Sequence, residues 1–144
     1  MSTTDQEQLE LKSIEKIRKL RLERAERELF RSLKKFEKAQ TQQQEAEESL
    51  KKTIEESRSL YSKLKNSYSH RSIKIDEFNG FIGGRERSQH MVISAKQNVE
   101  NAEAEVENNK LKYEESFSLK KQAAKNHEKI IWVLKTLTPK ISND

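Results

Sequence analysis

Residues 22–64 read LERAERELFRSLKKFEKAQTQQQEAEESLKKTIEESRSLYSKL, and the spacing within this stretch decides the fold. Apolar and small residues recur alternately three and four positions apart. They occupy Leu22, Ala25, Leu29, Ser32, Phe36, Ala39, Gln43, Ala46, Leu50, Thr53, Ser57, Leu60 and Leu64. This heptad pattern is longer than the three or four heptads that indicate a coiled coil, so it predicts one long helix with a single seam.

A second seam of the same kind fills the other half of the chain. Its positions are Phe78, Phe81, Arg85, Ser88, Val92, Ala95, Val99, Ala102, Val106, Asn109, Tyr113, Ser116, Lys120, Ala123, His127, Ile130, Leu134 and Leu137. Thr4 and Glu7 fit a capping box for the first helix, and Asp76 is the predicted cap of the second. Pro139 is predicted to end the second helix, because proline lacks an amide donor and clashes with the preceding turn.

These signals define one domain over residues 1–144. We predict helix one over about 5–69, a turn over about 70–75, helix two over about 76–138 and a C-terminal tail over 139–144. A short connection makes successive helices antiparallel neighbours. The predicted fold class is therefore all-α, a single long antiparallel two-helix coiled-coil hairpin.

The two ends of this hairpin have distinctive residues. Gly80, Gly83 and Gly84 each cost about 1 kcal/mol relative to Ala in a helix, so a kink or a loop through residue 85 is the alternative to a helical start. At the open end, where both termini lie, the first arm brings two isoleucines near the second arm's Ile130, Ile131 and Trp132. These are Ile14 and Ile17, and Trp132 is predicted to seal this end.

Composition favours a thin helical protein. Apolar residues make up 32% of the chain and charged residues 37%, whereas globular domains have about 45–50% apolar residues. Disorder is the alternative for so polar a chain, but the helical spacing and the low content of glycine (3) and proline (1) argue against it. The chain has no cysteine, no signal-peptide pattern at its start and no apolar run near the roughly 18 residues of a membrane span. We expect a cytoplasmic protein without direct membrane insertion.

Charge is segregated along the sequence. Lys16 to Lys38 contains ten basic and four acidic residues, and Lys120 to Lys140 contains six basic and one acidic. A hairpin brings these two segments together at the open end, where their field attracts acidic partners. The alternative is an ordinary solvated face with ion pairs four residues apart.

The hinge region is unusually apolar. Its large side chains are Ile73, Ile75, Phe78, Phe81 and Ile82. Exposed apolar patches commonly mark partner sites. The alternative is a local plug that closes the bend against Leu60, Tyr61 and Leu64.

Enzyme signatures are missing from the sequence. His70, His90 and His127 are scattered, and the Gly83–Gly84 pair lacks the strand-then-helix setting of a phosphate loop. We expect no catalytic residue, no cofactor and no metal. A basic helix leading into heptads is also typical of DNA-binding zippers, but Glu23 and Glu26 within it would repel phosphates.

Two segments resemble the YscO/FliJ family of type III secretion and flagellar export, most closely its YscO branch. They are residues 19–27 (KLRLERAER) and residues 75–82 (IDEFNGFI), within an architecture that matches nearly the whole chain. The resemblance implies a stalk protein whose paired termini bind a hexameric secretion ATPase. It also implies that the hinge half faces the membrane export gate, with export chaperones as further possible partners, peripheral to the inner-membrane apparatus.

Candidate site residues follow from this division. The ATPase-binding candidates are Arg18, Arg21, Arg24, Arg27, Lys121 and Lys125. The export-gate candidates are Tyr61, Tyr68, Phe78, Phe81 and Ile82. The alternative functions are a generic coiled-coil adaptor or chaperone-like clamp and, ranked lowest, a nucleic-acid-binding hairpin; no nucleic acid is expected as partner.

Overall fold

The protein is an all-α helical hairpin. The computed structural model describes the backbone of residues 3–68 and 74–142 and the side chains of residues 5–66 and 74–137. Helix α1 comprises Thr3–Tyr68 and helix α2 comprises Ile75–Ser142. The two helices pack against each other, which confirms the predicted fold class.

The start of α2 differs from the prediction by one residue, and its cap differs by two. The amide of Phe78 donates to the carbonyl of Lys74 at 3.0 Å, so Lys74 and not Asp76 occupies the N-cap position. Asp76 and Glu77 lie instead in the first turn, where carboxylates interact favourably with the positive end of the helix dipole. The predicted turn at 70–75 lies outside the described residues except for Lys74 and Ile75.

The glycine-containing segment is helical. Helix α2 runs through Gly80, Gly83 and Gly84, and none of them has a positive φ. A loop through residue 85 is therefore wrong. Helix propensity is a weak preference that long flanking helix and packing override, which explains why three glycines do not interrupt the element.

The predicted end of α2 at residue 138 is also wrong. The helix continues through Pro139 to Ser142. Proline removes one amide donor, but its ring fixes φ near −65°, which is the helical value. The backbone therefore keeps helical geometry for one further turn, and residues 139–142 of the predicted tail are helical.

The hairpin consists of two compact units. The terminal unit contains the chain up to Phe36 and from Asn109 onward, and the hinge unit contains Glu37–Asn108. The predicted seams line the contact of α1 with α2 within each unit, because every seam position is buried or half-buried except Leu60, Phe78 and Arg85.

The core of each unit is thin. Of the described side chains, only Ala39 and Ala95 in the hinge unit and Ile130 in the terminal unit are buried. In the terminal unit the rings of Phe36 and Tyr113 stack with centroids 6.0 Å apart. Small seam residues permit close helix approach but remove little apolar area from water, so we expect modest stability.

Each unit also has a hydroxyl pair across its seam. In the terminal unit the Oγ atoms of Ser32 and Ser116 are 2.8 Å apart. In the hinge unit Ser88 Oγ donates to Ser57 Oγ at 2.7 Å. These pairs satisfy polar groups that would otherwise weaken the seam.

Candidate functional site

The terminal unit presents basic side chains to solvent. Arg21, Arg24 and Arg27 of α1 and Lys121 and Lys125 of α2 are all exposed. Spacings of three and four residues place neighbouring members of each set on one side of their helix. We call the α1 set, Arg21, Arg24 and Arg27, the basic face.

An exposed aromatic ring lies beside the basic face. Phe30 is 59% exposed and lines a shallow groove of about 510 Å³ together with Arg27, Arg31 and two glutamates, Glu23 and Glu26. The ammonium of Lys34 lies 5.3 Å from the Phe30 ring centroid, and Arg31 pairs with Glu28 at 2.9 Å. The basic face therefore adjoins an exposed aromatic ring.

Arg18 is placed differently from the other candidates. Its side chain is half-buried, and Nη1 donates to the carbonyl of Asn126 at 2.8 Å. One turn earlier, Glu15 Oε1 lies 3.3 Å from His127 Nε2. Arg18 therefore links α1 to α2 and is not part of the basic face. The sequence contained a signal for this position, since Arg18 lies one heptad before the seam residue Ala25.

Trp132 does not seal the open end. It is 67% exposed, whereas Ile130, two positions earlier, is 4% exposed and fills the seam. Two positions correspond to more than half a helical turn, so the two side chains lie on opposite sides of α2. Sequence reasoning overlooked Trp132 as a surface residue, although the heptad pattern itself skips position 132.

Trp132 belongs to a basic surface of α2. Lys121, Lys125 and Lys129 precede it by eleven, seven and three positions, and all three are exposed. Ile14 and Ile17, which were predicted to pack near Ile130 and Trp132, are 40% and 49% exposed. Of the predicted apolar cluster at this end, Ile130 is buried, Ile131 is half-buried, and Ile14, Ile17 and Trp132 are exposed.

At the hinge unit the apolar candidates divide into two groups. Ile75, Phe78 and Ile82 are exposed, and Phe78 retains 48% of its accessible surface. Phe81 is half-buried and lines the same pocket as Leu64. Phe81 therefore takes part in local packing, whereas Phe78 and Ile82 remain available at the surface. Ile73 and the side chain of Tyr68 lie outside the described residues.

A pocket of about 270 Å³ opens between the two helices of the hinge unit. We call it the hinge pocket, and its lining residues are Ser57, Arg58, Leu60, Tyr61, Leu64, Phe81, Arg85, Ser88 and Gln89. The guanidinium carbon of Arg85 lies 5.5 Å from the Tyr61 ring centroid, a cation–π distance. The lining thus combines an apolar floor with two guanidinium groups and contains no carboxylate.

Neither described helix contains a segment apolar enough to cross a lipid bilayer. Among the described side chains, His, Asp and Glu residues form no group of three or more that could hold a metal ion.

Comparison of the chain with protein-family models, with curated proteins and with solved structures finds no match. The class that the fold defines is an all-α helical hairpin.

Proposed function

We propose that this protein is a coupling component of a type III secretion apparatus. In this role the terminal unit binds the hexameric secretion ATPase, and the hinge unit binds the export gate or an export chaperone. The proposed role is mechanical and assigns no catalysis to this chain. It rests on the resemblance of residues 19–27 and 75–82 to the YscO/FliJ family, together with the surfaces described above.

One observation carries most of the proposal. The terminal unit exposes Arg21, Arg24 and Arg27 on α1 and exposes Trp132 beside Lys121 and Lys125 on α2. Arginine and tryptophan are the residues that most often dominate the binding energy of protein interfaces. Exposed cations of this density favour an acidic partner surface and accelerate encounter with it. Arg18 is left out of this surface because it bonds across the hairpin.

The same arrangement weighs against a nucleic-acid partner. Glu23 and Glu26 line the groove that contains Arg27 and Phe30, and carboxylates there would repel phosphates. A generic adaptor or clamp would use the same surfaces with a different partner. Binding to a purified secretion ATPase distinguishes that function from the proposed one.

The test is charge reversal of the basic face. We expect the triple variant Arg21→Glu, Arg24→Glu, Arg27→Glu to lose ATPase binding at least tenfold while its helicity is unchanged, because all three side chains are exposed. The wild-type affinity should also fall as salt rises, since exposed charges are screened over about 8–10 Å near physiological ionic strength.

The matched control reverses three exposed lysines of the hinge unit, Lys51, Lys52 and Lys96. It changes the net charge by the same amount at other positions, and we expect it to bind the ATPase nearly as well as the wild type. Calorimetric titration of the ATPase hexamer gives the affinities, and circular dichroism gives the helicity. Equal binding by the basic-face variant and the wild type would mean that the basic face does not contribute to ATPase binding.

A further inference from the structure

The hinge pocket has room for one large side chain and is small for a small-molecule site. Its volume of about 270 Å³ is below the range of about 300–1,000 Å³ that is usual for small-molecule sites. Its walls come from two neighbouring helices, α1 around Leu60 to Leu64 and α2 around Phe81 to Arg85. A groove between two helices is the surface on which a third amphipathic helix commonly binds.

The floor and the wall of the hinge pocket require different chemistry from an occupant. Leu60, Leu64, Phe81 and the ring of Tyr61 provide apolar surface that matches one large apolar side chain. Arg58 and Arg85 provide guanidinium groups, which form strong charge-assisted hydrogen bonds with carboxylates. Because the lining has no carboxylate of its own, an acidic occupant complements it and a basic occupant does not.

We propose that the hinge pocket binds an acidic amphipathic helix of a partner protein. One large apolar side chain of that helix inserts beside Leu64 and Phe81, and its flanking carboxylates pair with Arg58 and Arg85. That the partner is the export gate or an export chaperone rests on the proposed function. The chemistry of the bound segment rests on the pocket alone.

An anionic membrane surface is the competing occupant, since Ile75, Phe78 and Ile82 are exposed near the start of α2. The pocket favours a helix over a membrane, because its apolar floor lies between two helices and Tyr61 lies under the Arg85 guanidinium. A membrane would instead contact outward-facing side chains and leave the floor unfilled.

The experiment selects the ligand without assuming its identity. A displayed library of helical peptides, randomised on one face, is selected on the full-length protein. We expect enriched peptides to carry one large apolar residue flanked by Asp or Glu. Their affinity should fall about tenfold or more for Arg85→Glu and should be nearly unchanged for Arg87→Glu, an exposed position outside the hinge pocket.

A charge swap separates recognition from structural damage. Replacing the flanking acids of a selected peptide by lysine should abolish binding to the wild type and restore it to Arg85→Glu. A merely destabilised pocket would give no such restoration. Peptides without acidic enrichment, equal losses for Arg85→Glu and Arg87→Glu, or preferential binding to vesicles of anionic phospholipid would each overturn the inference.

The ATPase measurement distinguishes this inference from the proposed function. Arg85→Glu should keep full affinity for the secretion ATPase, because Arg85 belongs to the hinge unit. If ATPase binding depends on the basic face but no acidic helix is selected, the inference fails and the proposed function stands. If acidic helices are selected but no ATPase binds, the proposed function fails and the inference stands.

Discussion

Individual side chains in the terminal unit separate stability from recognition. Ile130 and Trp132 are two positions apart on α2, yet one is 4% exposed and the other 67% exposed. Burial makes Ile130 a contributor to the seam, and exposure makes Trp132 a contributor to a surface. Substitution of Ile130 should therefore affect stability, and substitution of Trp132 should affect binding.

We expect Ile130→Ala to lower the free energy of unfolding by about 2 kcal/mol or more, because it deletes one of the few buried apolar side chains. We expect Trp132→Ala to change it by less than about 0.5 kcal/mol, as surface substitutions usually do, and to weaken ATPase binding about tenfold or more. Urea unfolding and calorimetric titration of the two variants provide both numbers. A stability loss for Trp132→Ala as large as that for Ile130→Ala would mean that the indole contributes to packing and not to a binding surface.

Arg18 shows how far the sequence determined the candidate site. Heptad spacing predicted the seam, and Ala39, Ala95 and Ile130 are its most buried members. The same spacing, extended one heptad toward the N-terminus, includes Arg18, but its charge suggested a surface role. A long arginine side chain can instead reach across the seam, and the hydrogen bond to the Asn126 carbonyl stabilises that conformation. The heptad spacing predicts which positions face the other helix, but it does not predict how far a long side chain extends across the seam.

At the scale of the element, the prediction failed at the ends of α2 and succeeded along its length. Lys74, and not Asp76, occupies the N-cap position, because its backbone carbonyl accepts the hydrogen bond from the Phe78 amide. A backbone carbonyl is present in every residue, so this interaction does not select for a particular side chain. Pro139 does not end the helix because its φ is compatible with helix. Terminal residues are held by few contacts, so small local energies decide the bounds, whereas the seam is determined by many residues together.

The glycines of α2 give a direct test of its helical start. Gly80 and Gly84 have no positive φ, and a Cβ added at either position meets no other atom within 4 Å. We expect Gly80→Ala with Gly84→Ala to raise the free energy of unfolding by about 1–2 kcal/mol, because alanine has the higher helix propensity and restricts the unfolded chain.

The matched control is Ala104→Gly, at an exposed position inside α2, which we expect to lose about 1 kcal/mol. Thermal unfolding followed by circular dichroism measures all three substitutions. A lower melting temperature for the glycine-to-alanine variant would mean that residues 80–84 need a conformation other than helix.

At the scale of the whole molecule, the thin core makes us expect a modest stability that any binding partner would raise. Of the described side chains only three are buried, and all three are aliphatic residues of the seam. Any partner that binds the folded chain alone stabilises it by mass action, by about 2.7 kcal/mol at a free concentration of 100 times Kd. That increment is a substantial part of the net stability of about 5–15 kcal/mol that is usual for a folded domain.

We therefore expect the secretion ATPase, added at saturating concentration, to shift the urea midpoint of the hairpin markedly upward. The triple charge reversal of the basic face should remove the shift while leaving the midpoint of the free protein nearly unchanged. Unfolding curves with and without ATPase, followed through a probe attached to this chain, measure both effects. An equal shift for the wild type and the charge-reversed variant would contradict binding through Arg21, Arg24 and Arg27.

The two serine pairs of the seam have a further consequence for how the helices align. If α2 slipped by one heptad toward its N-terminus along α1, Ser32 would face Ala123 instead of Ser116, and Ser57 would face Ala95 instead of Ser88. A slip in the other direction would set Ser57 against Phe81. Either misalignment removes the present partners of these half-buried hydroxyl groups, at a cost below the about 1–3 kcal/mol of a fully buried unsatisfied group. Because small seam residues such as Ala39 and Ala95 can pack in more than one alignment, the serine pairs help to select one register.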